Sequence, residues 1–558
     1  MADVPSLAPD YYLGNFLSLL GGLDRYRDLL SDSELGFLAR FDQLGHDARC
    51  LLVRLLLRKG QWFRISKLRY PELDDLPSAL NELRLAGFIE TGLAAPHSEL
   101  NALLTLAEWR TALVSEDPKS APLGVSKGVT LDVNKGVTKA ELAVLIEQKG
   151  LWSSLAEYWR SDCLWLRDDP MALFKLLYFG NSYQDLSEFV LGDMGLRRYE
   201  NYAVDKALRR FDTRADIEAA LLLSQLSEQL ELSGRTLERD ELELMLAQCP
   251  HPLATGGGLE DKRQQLRGRI ARELERRGAD DLALTIYGEL AQTPARERSA
   301  RCLEKLARFE EALAVVEAMI ANPWDEQELA AARRMGPRLA RQLGRPWLRA
   351  PASTIPGQQL ALPPFEGKVE QAAIAWFESR GLRAWHLENA FVCGIFGLAL
   401  WDIIFMPVKG AFDNPFQSRP RDMYRPGFVA ARQVALEERL QRLREGELSI
   451  LTRHFETKQG LVNDWVNWKQ FDGEVLAAVL SHLDGALLTD LLERMLKDPQ
   501  FYRSGWPDLL VLKQDGLAFV EIKGPGDRLQ DSQRRWFDWF QARQLDASVL
   551  HISWLTGD

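Results

Sequence analysis

No Cys-x-x-Cys pair occurs anywhere in the chain. Its five cysteines, Cys50, Cys163, Cys249, Cys302 and Cys393, are scattered. That suits a reducing compartment and argues against a zinc finger. Also lacking is a basic N-terminal segment followed by an apolar one and a small-residue cleavage site, so no secretory leader is expected. Long hydrophobic runs are missing as well. The most apolar stretch, GIFGLALWDIIFMPV, is broken by Asp402 and is too short to span a bilayer. Nor is there a surplus of positive charge: 69 Lys and Arg stand against 80 Asp and Glu, a formal net charge of −11. Phosphate contacts need cations, so any nucleic-acid surface here must be a concentrated basic face on an acidic protein. What is present is ordinary globular material, 46% hydrophobic and 27% charged. The 558 residues exceed one hydrophobic core, which makes roughly three or four domains the expectation, in a soluble protein.

Apolar spacing along the chain divides it. Helical periodicity in DARCLLVRLLLRKGQWF and LPSALNELRLAGFIETG, the second closed by Gly87, predicts a small helical, winged-type DNA-binding domain over 1–98. A second region, 99–152, carries two short helices joined by a Gly/Ser/Pro/Lys-rich stretch, 118–137. Thr138 and Glu141 form a capping box for the second helix. From 153 to 350 the pattern is almost wholly helical, and ARFEEALAVVEAMI is similar to a tetratricopeptide unit of about 34 residues. A Pro-rich joint, RPWLRAPASTIPGQQLALPP, leads to a mixed α/β domain, 360–558. There DLLVLK and LAFVEIKG read as a hairpin around Asp515-Gly516, DSQRRWFDWFQARQ as a helix and ASVLHISW as a last strand.

That hairpin carries the chemistry. Side chains alternate along a strand, so Glu521 and Lys523 share a face while Ile522 points away, and Asp508 can approach the same sheet end. Two carboxylates and a lysine make a hard-oxygen site for Mn²⁺ or Mg²⁺. Such an ion holds a scissile phosphate and activates a water, and the lysine offsets charge that develops on the phosphate. A Glu-x-Lys on an exposed strand is common without any such role. Here both strands are otherwise apolar, and charges in buried strands need a partner or an ion.

Pro507-Asp508 followed by Glu521-Ile522-Lys523 resembles the PD-(D/E)xK nuclease signature, and EIKGPGDRLQDSQ resembles its VRR-NUC branch. VEQAAIAWFESRG, HLENAF and FGLALWDIIF are similar to the Fanconi-associated nuclease family, the structure-specific member of that branch. The resemblance implies a metal set of Glu388, Asp508, Glu521 and the Ile522 carbonyl, with Lys523 catalytic beside Asp508 and Glu521. Glu370, His386 and Gln533 are expected as polar neighbours of the metal ligands. It also implies a SAP-type DNA-binding motif within 99–152 and a tetratricopeptide-type domain. The family's ubiquitin-binding zinc finger has no counterpart, which points to a compact bacterial form, cytoplasmic beside the nucleoid, or nuclear in a eukaryote. The expected substrate is branched or flapped DNA, cut near a 5′ flap and degraded 5′ to 3′ by phosphodiester hydrolysis, in interstrand crosslink repair. Two rivals stand beside this: a VRR-NUC junction resolvase, and a DNA-binding repeat scaffold with an inactive nuclease fold.

Cationic stretches supply the DNA-contact candidates: Arg58, Lys59, Arg64 and Lys67 near the start, Arg267 and Arg269 in DKRQQLRGRIARELERRG, and Arg421 and Arg425 in SRPRDMYRPGFVAARQ. Trp62, Phe63 and Tyr424 lie beside them as stacking or core residues.

Overall fold

Helix starts are written into the N-terminal sequence. The Ser31 hydroxyl accepts from the Glu34 N–H and the Glu34 carboxylate accepts from the Ser31 N–H, which opens helix Asp32–Asp42. Asp75 caps helix Leu76–Leu85, and Gly87 at φ +74° turns the chain out of it. The structure, a computed structural model, describes residues 8–109, 138–148, 150, 152–193, 197–252, 258–348, 354–425 and 427–555. The expected capping box is present, with Thr138 N–H donating to Glu141 at 2.7 Å. The 118–137 joint and much of the SAP-like segment lie outside the described residues.

Three short strands complete this part. β1 (Trp62–Arg64) and β2 (Ile89–Thr91) flank β3 (Cys163–Leu166) in an antiparallel sheet. β3 departs from the helical reading of 153–350, because a four-residue apolar run carries no period that separates strand from helix. These elements belong to one compact unit, Met1–Met194, and Gly195–Asp558 forms another.

In the second unit, helices Leu259–Arg276, Asp280–Gly288, Ala295–Lys305, Phe309–Ala321 and Glu326–Gln342 pack each on the next. Buried alanines, among them Ala283, Ala300, Ala312 and Ala331, let their axes approach closely. A five-stranded mixed sheet follows, in the order β4–β8–β7–β6–β5. β4 (Gly357–Leu362) and β5 (Arg383–His386) are both short, β6 is Leu509–Lys513, β7 is Gly516–Lys523 and β8 is Ala547–Trp554. β4 corrects the reading of GQQLAL as a joint. It is an edge strand parallel to β8, and Pro356 and Pro363 sit just outside it, where no ladder N–H is needed.

Alternation sorts the two faces of β7. Ala518, Val520 and Ile522 join Phe377, Leu509 and Val511 in one core. Phe519 joins Phe391, Trp506, Trp536 and Phe540 in the other. The apolar helix Asn389–Ala399 is buried in that second core. No single described helix is long and apolar enough to cross a membrane.

Candidate active site

β6 and β7 pair antiparallel with Leu509 opposite Val520, which brings Asp508 opposite Glu521 at the sheet's end. The Asp508 carboxylate accepts from the Ile522 N–H at 2.8 Å, so it is tied to the middle of the Glu-Ile-Lys triplet. Glu521 is 1% exposed. Its Oε1 accepts from Lys523 Nζ at 2.7 Å and from the Gln533 amide. Gln533 is itself fixed, because its Oε1 accepts from the Gln530 N–H at the start of helix Asp531–Ala542. Gly505, at φ +89°, lets that helix close on the approach to Asp508, since an added Cβ would lie 2.5 Å from Ser532 backbone atoms.

Glu388 arrives by a different route. β5 pairs with β6, His386 opposite Leu509, and the next two N–H groups, of Leu387 and Glu388, both donate to the Asp508 carbonyl. Glu388 then adopts φ +43°, ψ −133°, and starts helix Asn389–Ala399. That backbone costs on the order of 1–3 kcal/mol for a non-glycine residue. The turn places a carboxylate, rather than a glycine, beside Asp508. His386, Glu388 and Asp508 each offer a ligand atom within 4.8 Å of one another, and His386 Nε2 lies 3.4 Å from Glu388. Glu370, in the first turn of helix Val369–Glu378, is close enough to act electrostatically on Asp508. The residues read as the site from sequence are therefore gathered at one sheet end.

The cluster is short of positive charge. Burial, with Glu388 and Glu370 adding repulsion, pushes the Asp508 carboxyl above its usual range. Burial and then Asp508 push Glu521 up as well, although Lys523 opposes this. Glu521 Oε2 is buried and has no hydrogen-bond partner among the described residues. An orphaned carboxylate oxygen beside two further carboxylates fits a hard divalent cation.

The DNA-contact candidates fare unevenly. Arg58 is exposed over the Phe63 ring, and Lys59 is exposed. Lys67 is half-exposed and paired to Glu108. Arg64 is corrected: it is 6% exposed, clamped by Glu108 and Asp162, and packed on Trp159. Arg267 is corrected too, being largely buried and paired to Glu289, whereas its neighbour Arg269 is exposed. Arg421, paired with Asp413, and Arg425 meet the start of helix Leu259–Arg276. There Lys262, missed from sequence, has its ammonium pushed down to about 7 by burial and by Arg210 and Arg421. The two basic stretches thus converge, which a linear scan of charge runs does not show.

A mixed sheet with Asp508 before one strand, Glu521-Ile522-Lys523 ending the next and Glu388 reaching in from a third defines a nuclease domain of the PD-(D/E)xK class, whose VRR-NUC branch is metal-dependent. The VRR-NUC domain model matches residues 444–554, and the FAN1 HTH domain model matches 10–90. Over 99% of its length the chain is 34% identical to the Fanconi-associated nuclease 1 homolog of Pseudomonas aeruginosa, covering 97% of it. It is 28% identical to the homolog of Oryza sativa and 24% identical to human Fanconi-associated nuclease 1, spanning 62% of the length of each. The crystal structure of paFAN1 bound to 2-nt 5′ flap DNA with a gap is similar over 99% of this chain, with TM-score 0.84 and 33% identity. The chain belongs to the Fanconi-associated nuclease family and is a DNA nuclease, a hydrolase of ester bonds.

Proposed function

We propose that this nuclease is a 5′ flap endonuclease and 5′-to-3′ exonuclease acting in DNA interstrand crosslink repair, with Mn²⁺ or Mg²⁺. The observation that carries the substrate is the full-length likeness to a relative crystallised on 5′ flap DNA. In this reading residues 1–98 and 99–152 bind DNA arms, the latter through a SAP-like motif. Residues 153–350 form a tetratricopeptide-like support, and 360–558 cut. The setting proposed with this activity is the cytoplasm beside a bacterial nucleoid, or the nucleus in a eukaryote.

Asp508, Glu521 and Glu388, with the Ile522 carbonyl, would hold the ion. When bound, it supplies a hold on the scissile phosphate and a lowered pKa for its water. Asp508 fixes the direction of Ile522 by accepting its N–H. Gln533 and Lys523 both engage Glu521 Oε1, which leaves Oε2 as the free ligand atom. Lys523 would set its Nζ toward the phosphate oxygen that gains charge, where a nearby donor stabilises most. His386 and Glu370 orient and bias the carboxylates. Lys262, Arg421, Arg425 and Arg269 concentrate cations for phosphate contact on an acidic protein.

The test is cleavage of labelled 5′ flap, intact duplex and four-way junction of equal length. Bending an intact duplex costs on the order of several kcal/mol, and a nick or flap lowers that cost. The flap is therefore cut fastest. Equal rates on flap and duplex would remove the structure-specific reading, and preference for the four-way junction would make the chain a resolvase.

A further inference from the structure

We propose that a small arginine-lined recess at the far end of helix Asn389–Ala399 holds a backbone phosphate of the DNA substrate. The recess has a volume of about 150 Å³ and is lined by Arg439, Arg442, Glu447, Ser449, Ile450 and Arg453. Arg439 is immobilised in its wall, donating to the Ala399 carbonyl and to both oxygens of Asp402. Arg442 and Arg453 are exposed, and their guanidiniums have no ion-pair or hydrogen-bond partner among the described residues. Nearby Arg444, by contrast, is paired with Glu493 at 2.7 Å. Arg439 is neutralised by Asp402, so the two open guanidiniums of Arg442 and Arg453 against the carboxylate of Glu447 leave the recess net positive on a protein whose net charge is −11.

Size and chemistry narrow the occupant. At about 30 Å³ per water the recess holds a few waters, far below the roughly 300 Å³ of a small-molecule site. It admits one tetrahedral anion rather than a nucleotide. Planar guanidinium forks match phosphate oxygens. A phosphodiester is favoured over a peptide carboxylate because DNA is the substrate, so the inference rests on the nuclease reading.

Position gives the contact a purpose. Glu388 begins helix Asn389–Ala399, and Arg439 binds its last carbonyl. At 1.5 Å per residue these ends lie roughly 16 Å apart. One strand carries a phosphate about every 3.4 Å of duplex axis, so on a duplex laid along this helix the anchored phosphate would lie ~5 nucleotides from the cut. Arg442 and Arg453 thereby act as positioning residues.

The experiment titrates labelled 5′ flap DNA with the full chain in EDTA at two salt concentrations. It compares wild type, Arg442→Glu/Arg453→Glu and Arg442→Lys/Arg453→Lys, with Arg439 left in place because it also holds Asp402. The Glu variant should bind about tenfold more weakly and lower the salt slope by about one, with the Lys variant near wild type. Trimming each duplex arm in turn to below ~5 base pairs should abolish that difference for one arm. Equal affinity and slope in wild type and the Glu variant would overturn the proposal. A difference that survives every trimmed arm, with inorganic phosphate competing only in wild type, would assign the recess to a free anion and overturn it too. Wild-type cleavage with Mn²⁺, run in parallel, separates the two readings, since its absence indicts the nuclease assignment while binding still decides the recess.

Discussion

Glu275, in the helical stack, and Glu521, in the nuclease sheet, are 3% and 1% exposed. Burial alone pushes both carboxyls up, yet they end on opposite sides of the ordinary value. Around Glu275 stand Arg298, Lys305 at 2.9 Å and Arg272 at 2.8 Å, and these overcome desolvation to hold it at about 2. Around Glu521 stand one lysine, one amide and a second carboxylate, and it is held well above the usual range. Asp280 and Cys302 lie close enough to Glu275 to suggest a metal group. That suggestion fails chemically, because the three cations already neutralise the carboxylate, Lys305 also bridges Asp280, and burial keeps the Cys302 thiol protonated. A buried carboxylate with its counter-charges built in is architecture. One left short of positive charge waits for an ion.

The largest expected effect falls on the charge-deficient site. Asp508→Ala, Glu521→Ala or Lys523→Ala should each lower single-turnover cleavage by on the order of 10²–10³ or more, with flap affinity within a few-fold of wild type. Glu275→Gln should leave cleavage per folded molecule unchanged. Near-normal turnover in Asp508→Ala would end the assignment.

Stability should show the reverse order. Glu275→Gln strands the buried Arg298 and takes one partner from the more exposed Arg272 and Lys305, and should cost ~3 kcal/mol in urea unfolding at pH 7. Metal-free Glu521→Gln removes repulsion from Asp508 and should be neutral or stabilising. Because Glu275 is depressed in the folded state, its contribution is present above the ordinary carboxylate range and is lost as pH falls from there toward about 2. The gap between wild type and Glu275→Gln should close over that window; a gap constant down to pH 2 would refute the ion-pair account.

Divalent ions sharpen the comparison further. Mn²⁺ at a hundred times its dissociation constant should stabilise wild type by about 2.7 kcal/mol and Asp508→Asn/Glu521→Gln hardly at all. Ca²⁺ should permit DNA binding without cutting, and chelation should abolish activity. Activity that persists in EDTA would remove metal assistance.

The smallest effect concerns Lys262. With a folded pKa of about 7, it is protonated only after unfolding between there and its ordinary value, so stability rises with pH across that range. Lys262→Met should therefore stabilise the protein at pH 6, an advantage that fades toward pH 10. It should also weaken flap binding a few-fold at pH 6 and less at pH 8. Unchanged binding at both would separate this cation cluster from DNA.

Much of the catalytic centre was legible in the linear chain. Alternation put Glu521 and Lys523 on one strand face, the turn at Asp515-Gly516 brought Asp508 alongside, and the long period-bearing elements, helix Asp531–Ala542 and β8, were read from their apolar spacing. These signals are local, fixed by side-chain direction within a few residues. Short elements escaped, because β3, β4 and β5 span at most six residues and owe their form to the strands they pair with. So did the fate of individual cations. Arg64, Arg267 and Arg269 look alike in sequence, but only packing decided that the first two are clamped by carboxylates and the third is exposed. The sequence by itself determined which carboxylates and which lysine share a strand end. Tertiary structure alone decided that Glu388 joins them through a strained turn held by the Asp508 carbonyl, and that no second lysine or arginine among the described residues pairs with Glu521, because counter-charge depends on what other elements bring into contact.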